Sequence, residues 1–137
     1  MHDSFRHRLS VRVYYEDTDF SGVVYHANYL RFLERGRTEL LREVGVDQSI
    51  LHAEPGGVIF VVRRMAIEYV RPARMDDVLT VETETVEIRG ASLRMAQRIL
   101  RDDTVLLTAD VHVAVLAGGK PARLPDDLRR LLEAAGA

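Results

Sequence analysis

The sequence contains no cysteine, and this absence removes three possibilities at once. Disulfide bonds, thiolate metal ligands and a cysteine nucleophile are all excluded. No apolar run approaches the ~20 residues needed to span a bilayer, and the first ten residues, MHDSFRHRLS, contain no signal core. We therefore expect a cytoplasmic protein without membrane insertion.

Lysine is almost missing as well, because Lys120 is the only one and arginine carries the remaining positive charge. The formal net charge is −2, which argues against electrostatic capture of nucleic acid. Of the 137 residues, 47% are hydrophobic and 29% are charged, as in an ordinary globular protein. This length suits a single domain, 1–137, built on one core.

Hydrophobic periodicity divides the chain into strands and helices. Alternation over 9–15 predicts a strand, and helical spacing over about 27–44 predicts a long amphipathic helix that ends at Gly45. A change of phase between Val81 and Val86 predicts a β-bulge. The other predicted elements are a turn at 54–57, strands at 58–70, 78–88, 93–101 and 105–115, and a closing helix at 125–135.

This order of elements favours an α+β fold in which an antiparallel sheet of about five strands curls around one central helix. Gly36 lies in the middle of the predicted helix, where it costs about 1 kcal/mol relative to alanine. Its simplest explanation is close approach of the helix to the sheet. Such a sheet leaves its edges uncovered, so we expect a dimer or a dimer of dimers.

The segment 14–29, YYEDTDFSGVVYHANY, holds most of the candidate chemistry. It places two aspartates, a glycine, a histidine and an amide among four tyrosines, between the predicted strand and the predicted helix. Side chains and helix-terminal N–H groups can converge on one point at such a junction. The candidates are Asp17, Asp19, Gly22, His26 and Asn28.

Two other interpretations of this segment need no catalysis. DTDFSG fits the start of a calcium loop, but the twelfth position is Asn28 rather than glutamate, and a strand rather than a helix precedes it. We therefore reject a calcium site. Asp19 or Ser21 as a simple helix cap stays open, and the spacing alone does not decide between a cap and chemistry.

Other enzyme classes find little support in the sequence. The remaining histidines show no ligand spacing, so no metal site is expected. They are His2, His7, His52 and His112. A serine hydrolase is disfavoured because the chain has no G-x-S-x-G motif.

Residues 13–41, VYYEDTDFSGVVYHANYLRFLERGRTELL, resemble the hotdog-fold thioesterases, specifically the 4-hydroxybenzoyl-CoA thioesterase and YbgC-like acyl-CoA thioesterase group. The ARMDDVLTVET segment at 73–83 and the turn at 89–92 match as well, so the similarity covers almost the whole chain. The resemblance implies a hotdog fold, with one long central helix wrapped by a five-stranded antiparallel sheet and a short C-terminal helix. It also implies active sites at the subunit interface of a homodimer or homotetramer.

The resemblance implies roles for individual residues. Asp19, the second aspartate of the D-x-D pair, stands where the group has its catalytic carboxylate. His26 and Tyr15 match a histidine and a tyrosine of the YbgC-like branch. Phe20 and His26 favour that branch, and with it aliphatic acyl-CoA substrates, over the 4-hydroxybenzoyl branch.

A later turn is implied to contact the phosphates of the coenzyme. Arg89 and Ser92 match this turn, whereas Gly90 and Ala91 stand where a relative can be basic. The departure weakens the expected phosphate site. Other arginines could contribute to it, namely Arg63, Arg64 and Arg71.

The resulting hypothesis is hydrolysis of short- to medium-chain acyl-CoA to free acid and CoA, with no separate cofactor. A thiol with a pKa near ~8.5 leaves without a strong acid, so the site needs a base or nucleophile and an oxyanion stabiliser. Asp19, buried against the helix tip between subunits, is expected to supply the first, with His26 and Tyr15 orienting it. Backbone N–H groups over 24–27, including those of Val24 and Tyr25, are expected to supply the second.

Several points stay open in this hypothesis. Gly22 and Asn28 are expected beside the substrate, although Asn28 could instead hold the loop by bonding backbone near Gly22. Acyl carrier protein could replace CoA as the acyl donor. The alternatives are a non-hydrolytic acyl-CoA or acyl-carrier-protein binding protein and an enoyl-thioester hydratase with His26 as base. The intact pair of Asp19 and His26 favours an enzyme over a binder.

Overall fold

The computed structural model describes residues 7–46 and 57–136, which form one curled antiparallel sheet with a long helix on its inner face. In chain order the strands are β1 (His7–Arg12), β2 (Ile59–Tyr69), β3 (Val78–Ile88), β4 (Ser92–Arg101), β5 (Thr104–Ala117) and β6 (Lys120–Pro121), and the helices are α1 (Tyr29–Glu43) and α2 (Asp126–Gly136). The strand order is β1-β3-β4-β5-β2, and β6 pairs with β5. The predicted fold is confirmed, with β6 as an addition too short to show any periodicity.

The strands show the alternation on which they were predicted. On β5, the alternate positions Leu107, Ala109, Val111, Val113 and Val115 are buried in the core, and Leu106 is buried as well, where the register of β4 against β5 shifts between Ile99 and Leu100. The register of β3 against β4 shifts between Thr85 and Glu87, where the change of phase predicted a bulge. The turn predicted at 54–57 lies, apart from Gly57, outside the described residues.

The central helix buries one stripe against the sheet. Tyr29, Phe32, Leu33, Leu40 and Leu41 form the apolar part of that stripe. Leu30 lies one position off the stripe and is 44% exposed. Gly45 ends the helix region with φ +101°, the left-handed conformation that glycine adopts readily.

Gly36 brings the helix close to the sheet, as its position in the sequence suggested. A Cβ atom placed on Gly36 would lie 2.7 Å from Val81 Cγ1 and 2.8 Å from Thr83 Oγ1. Gln97 on β4 uses this proximity, since its Nε2 donates to the carbonyl of Leu33 at 2.9 Å and to Thr83 Oγ1 at 2.8 Å. A buried side-chain amide therefore fixes the helix to two strands.

β2 forms one edge of the sheet, and Ile59, Val61 and Val62 on it are 38%, 40% and 41% exposed. Within residues 7–46 and 57–136, the structure contains no helix that is long and apolar enough to cross a membrane.

We predict that Gly36→Ala destabilises the protein by about 1–2 kcal/mol. Forcing a methyl group against Val81 and Thr83 costs roughly 1–3 kcal/mol, which exceeds the ~1 kcal/mol gained in helix propensity. Urea unfolding gives the free energy difference. Adding Val81→Ala removes the tightest contact, so Gly36→Ala should cost less in that background. A more stable Gly36→Ala protein would contradict this packing.

Candidate active site

The polar segment folds as a tight β-hairpin rather than as a direct entry into the helix. The amide of Asp19 donates to the carbonyl of Val23 at 2.8 Å, and the amide of Gly22 donates to the carbonyl of Asp19 at 3.0 Å. Thr18 and Val24 form a bridge below the turn. Gly22 closes the turn at φ +84°, which a side chain would disfavour. Asp19 is thus the first residue of the hairpin turn.

The carboxylate of Asp19 is fixed by one neighbour. Its Oδ1 accepts hydrogen bonds from the amide of Ser21 at 2.9 Å and from Ser21 Oγ at 2.6 Å. These donors, the hydroxyl above all, lower the pKa of Asp19 below its ordinary value. The Oδ2 atom has no donor among the described residues. Asp19 therefore serves the turn instead of capping a helix, and one ionised oxygen stays accessible.

Asp17, the other aspartate of the segment, has a structural role. Its Oδ2 accepts from the amide of Tyr14 at 2.8 Å, and its Oδ1 accepts from Nδ2 of Asn28 at 2.8 Å. Its carbonyl also accepts from the amide of Tyr25 at 3.0 Å. Asn28 therefore holds the loop, which was one of the two alternatives, but it does so through the carboxylate of Asp17 and not through backbone near Gly22.

The first strand ends before the predicted residue 15 because of this arrangement. Val13 exchanges two backbone bonds of 2.9 Å with Asp76 and Asp77, outside the regular ladder. The bond from Tyr14 to Asp17 then winds Tyr15–Asp17 into a 3-10 turn. A period-2 pattern cannot show where such a side-chain bond turns the chain.

The tip of α1 is held by residues that the sequence did not single out. Tyr69 Oη donates to the carbonyl of His26 at 2.9 Å, and the amide of Ala73 donates to Tyr29 Oη at 3.0 Å. The ring of His26 lies 4.6 Å from that of Tyr25 and 6.3 Å from that of Tyr69, measured between centroids. The C-terminal end of β2 therefore supports the start of the helix, a long-range pairing without a local signal in the sequence.

Backbone hydrogen bonds narrow the expected set of oxyanion donors. The amide of Val24 donates to the carbonyl of Ala73 at 2.8 Å, and that of Tyr25 donates to Asp17. Neither N–H group is free for a ligand. Over 24–27, only the N–H groups of His26 and Ala27 lack an acceptor within the described part of the chain.

Three expected contacts around Asp19 are not formed by this chain. Asp19 is exposed rather than buried, and among residues 7–46 and 57–136 neither Tyr15 nor His26 bonds to it. Tyr15 is 82% exposed, and its carbonyl accepts a hydrogen bond from Thr18 Oγ1.

In the same described ranges, no group of three or more His, Asp or Glu side chains is placed to hold a metal ion.

Arg89 and Ser92 lie at the opposite end of the sheet from Asp19. The hairpin of Asp19 docks on 73–77, just before β3, whereas Arg89 follows the last residue of β3. β3 has 11 residues and so spans roughly 35 Å. Arg89 forms a turn with Ser92, through an amide bond of 2.8 Å, and pairs with Glu87 at 3.0 Å. One chain does not bring the two predicted groups together.

Comparison with known proteins resolves the family. Residues 13–132 match the profile of the Thioesterase-like superfamily. The chain belongs to this superfamily. It is 49% identical over 124 residues to the acyl-CoA thioester hydrolase YbgC of Escherichia coli O6:H1, covering 88% of this chain and 91% of that protein.

Solved structures of thioesterases share the fold. The probable thioesterase of Bartonella henselae is 47% identical, with a TM-score of 0.84 and coverage of 88% of this chain and 99% of that one. A Thermus thermophilus thioesterase in complex with coenzyme A and zinc is 28% identical, with a TM-score of 0.82 and coverage of 94% and 92%. The resemblance to hotdog-fold thioesterases is confirmed, and with it the expectation of an enzyme of that family.

We predict that Ser21→Ala raises the pKa of Asp19 toward its ordinary value. The variant removes the hydroxyl donor and keeps the amide donor, so the ionised carboxylate loses its strongest stabilising contact. NMR titration of the side-chain carboxyl carbon of Asp19 measures the shift. Ser10→Ala on β1 provides the matched control. An unchanged titration of Asp19 in Ser21→Ala would contradict the assigned contact.

Proposed function

We propose that this thioesterase-family protein hydrolyses short- to medium-chain acyl-CoA, with Asp19 as the nucleophile or general base. The observation that carries the proposal is the charge and accessibility of the Asp19 carboxylate. It is ionised, held by Ser21 through one oxygen and open at the other, on a hairpin tied to the tip of the helix. The likeness to proteins named acyl-CoA thioester hydrolase supports the substrate class.

The chemistry needs few groups. A carboxylate oxygen of Asp19 attacks the thioester carbonyl, the C–S bond breaks and CoA leaves as the thiolate, after which water hydrolyses the mixed anhydride. Alternatively, Asp19 takes a proton from the water that attacks. In both routes negative charge develops on the carbonyl oxygen. The N–H groups of His26 and Ala27, at the positive end of the helix dipole, suit that oxygen, and losing such a donor costs about 3 kcal/mol.

The edge of the sheet points to a second copy of the chain. β2 presents 11 residues at this edge, and Ile59, Val61 and Val62 expose apolar surface there. An exposed, apolar edge strand invites pairing with another strand. We propose a homodimer in which the two β2 strands pair antiparallel about a two-fold axis. A tetramer would arise by further association of such dimers.

This pairing would assemble the site from two copies. Antiparallel β2 strands place the N-terminal half of one beside the C-terminal end of the other, where Tyr69 holds His26. Ser92 is in register with Ala114, and Ala114 with Val61, so the 89–92 turn lies about 10 Å from that N-terminal half. Arg89 of one copy would thereby approach Asp19 of the other.

We predict that Asp19→Asn lowers thiol release from butyryl-CoA or octanoyl-CoA by about 10²–10⁴-fold, since it removes the base or nucleophile at constant size. Thiol detection measures the rate, and circular dichroism checks the fold. His26→Ala should lose less, because it removes an imidazole that does not bond to Asp19 within the described chain and keeps the backbone N–H group of residue 26. Full activity of Asp19→Asn would refute the assignment. No thiol release by the unaltered protein would favour an acyl-CoA binder.

We predict that mixing two impaired variants, Asp19→Asn and Arg89→Ala, raises activity above the mean of the two. A mixed dimer contains one site with both residues intact, so random exchange of subunits should return about a quarter of the unaltered activity at low substrate. Arg89→Ala alone should raise KM about tenfold or more through loss of a charged hydrogen bond to phosphate. Activity that stays at the mean of the two variants would place both residues in one chain.

A further inference from the structure

Two successive peptide units at the tip of α1 present the two N–H groups that lack an acceptor within the described part of the chain. One unit joins Tyr25 to His26 and presents the N–H of His26, and the next presents the N–H of Ala27. The carbonyl of the first accepts a bond of 2.8 Å from the amide of Asn28, and that of the second accepts a bond of 2.9 Å from Tyr69 Oη. Because a peptide unit is planar, a bond that holds its carbonyl also fixes the direction of its N–H.

The two carbonyls are held in different ways. The bond to the first comes from the main chain of the helix entry, so it does not depend on the identity of a side chain. The bond to the second comes from a side chain 43 residues further along, on the last residue of β2. A hydrogen bond at a carbonyl also polarises the N–H of the same peptide unit, by on the order of 10–30% per bond. The hydroxyl of Tyr69 therefore both aims the N–H of Ala27 and makes it a stronger donor.

Tyr69 suits this task because its own position is fixed. The amides of the next two residues, Val70 and Arg71, donate to the carbonyl of Leu106 at 2.8 Å and 3.0 Å. Leu106 is fully buried on β5, so the end of β2 is tied to the core. The ring of Tyr69 packs edge-on against that of Tyr29, with 5.7 Å between the centroids. A donor that is held in place before the reaction needs no reorganisation during it, which is the condition for effective electrostatic catalysis.

We infer that Tyr69 is a positioning residue for thioester hydrolysis, because its hydroxyl orients and polarises the N–H of Ala27 toward the carbonyl oxygen of the substrate. This inference rests on the proposed function and adds to it a residue outside segment 14–29. Negative charge on the carbonyl oxygen is greatest in the transition state. A better-aligned donor therefore raises kcat and leaves KM nearly unchanged.

The test removes the hydroxyl and keeps the ring. Tyr69→Phe should lower kcat for octanoyl-CoA about tenfold, less than the roughly 10²–10³-fold lost with a whole donor, because the N–H of Ala27 remains. KM should stay nearly constant, and the amide nitrogen and proton resonances of Ala27 in the NMR spectrum should shift. Leu132→Met, a small change of packing in the buried part of α2, is the control and should alter neither kcat nor these resonances. Thermal unfolding and the oligomeric state of each variant ensure that folded proteins are compared.

Infrared spectroscopy of a bound ketone analogue separates the two proposals. The analogue has a methylene group between the isotope-labelled carbonyl and the sulfur of CoA, so it cannot be hydrolysed, and its carbonyl stretch reports the hydrogen bonds that it accepts. If the unaltered protein releases no thiol but this stretch rises in Tyr69→Phe, the proposed function fails and the role of Tyr69 toward a bound carbonyl stands. If thiol is released and Tyr69→Phe changes neither kcat nor the stretch, the inference is refuted and the function stands. A loss of activity seen only as a higher KM, with the resonances of Ala27 unchanged, would also refute it.

Discussion

The double use of the Asp17 carboxylate is the constraint on which the candidate site depends. One oxygen accepts the amide of Tyr14 and the other accepts the side chain of Asn28, while the Asp17 carbonyl accepts the amide of Tyr25. These contacts join the end of β1, the returning arm of the hairpin and the entry to α1. Because hydrogen bonds to a charged acceptor are the stronger ones, the junction is rigid where the position of Asp19 is decided.

The environment of Asp19 bears on the proposed homodimer. Hydrogen bonds from Ser21 lower the pKa of Asp19, which keeps it ionised but also makes it a weaker base. Exposure to water has the same effect, since solvation stabilises the charge. Closing the site with a second subunit and a bound substrate would remove water from the carboxylate and strengthen its interactions. The exposure of Asp19 and the exposed edge of β2 both support the proposed homodimer.

Much of the fold was readable from the sequence because periodicity and glycine positions report local constraints. The bulge in β3, the alternation of β5 and the close approach at Gly36 were all predicted. For the candidate site, the sequence predicted which residue types take part but not which contacts they form. That Asp17 binds Asn28, that Tyr69 supports His26 and that Ala73 occupies the amide of Val24 depend on distant partners. No spacing along the chain encodes them.

The missing side chain at Gly36 also shapes the space available for a ligand. It lets α1 settle against β3 and β4, where Val81 and Thr83 leave no gap, and Gln97 locks that contact. On the β2 side of the same helix there is room for a cavity. The helix therefore packs tightly on the side of β3 and β4 and leaves a space on the side of β2. The absent side chain at residue 36 therefore sets how closely the helix approaches β3 and β4, and with it the tilt of the helix over the rest of the sheet.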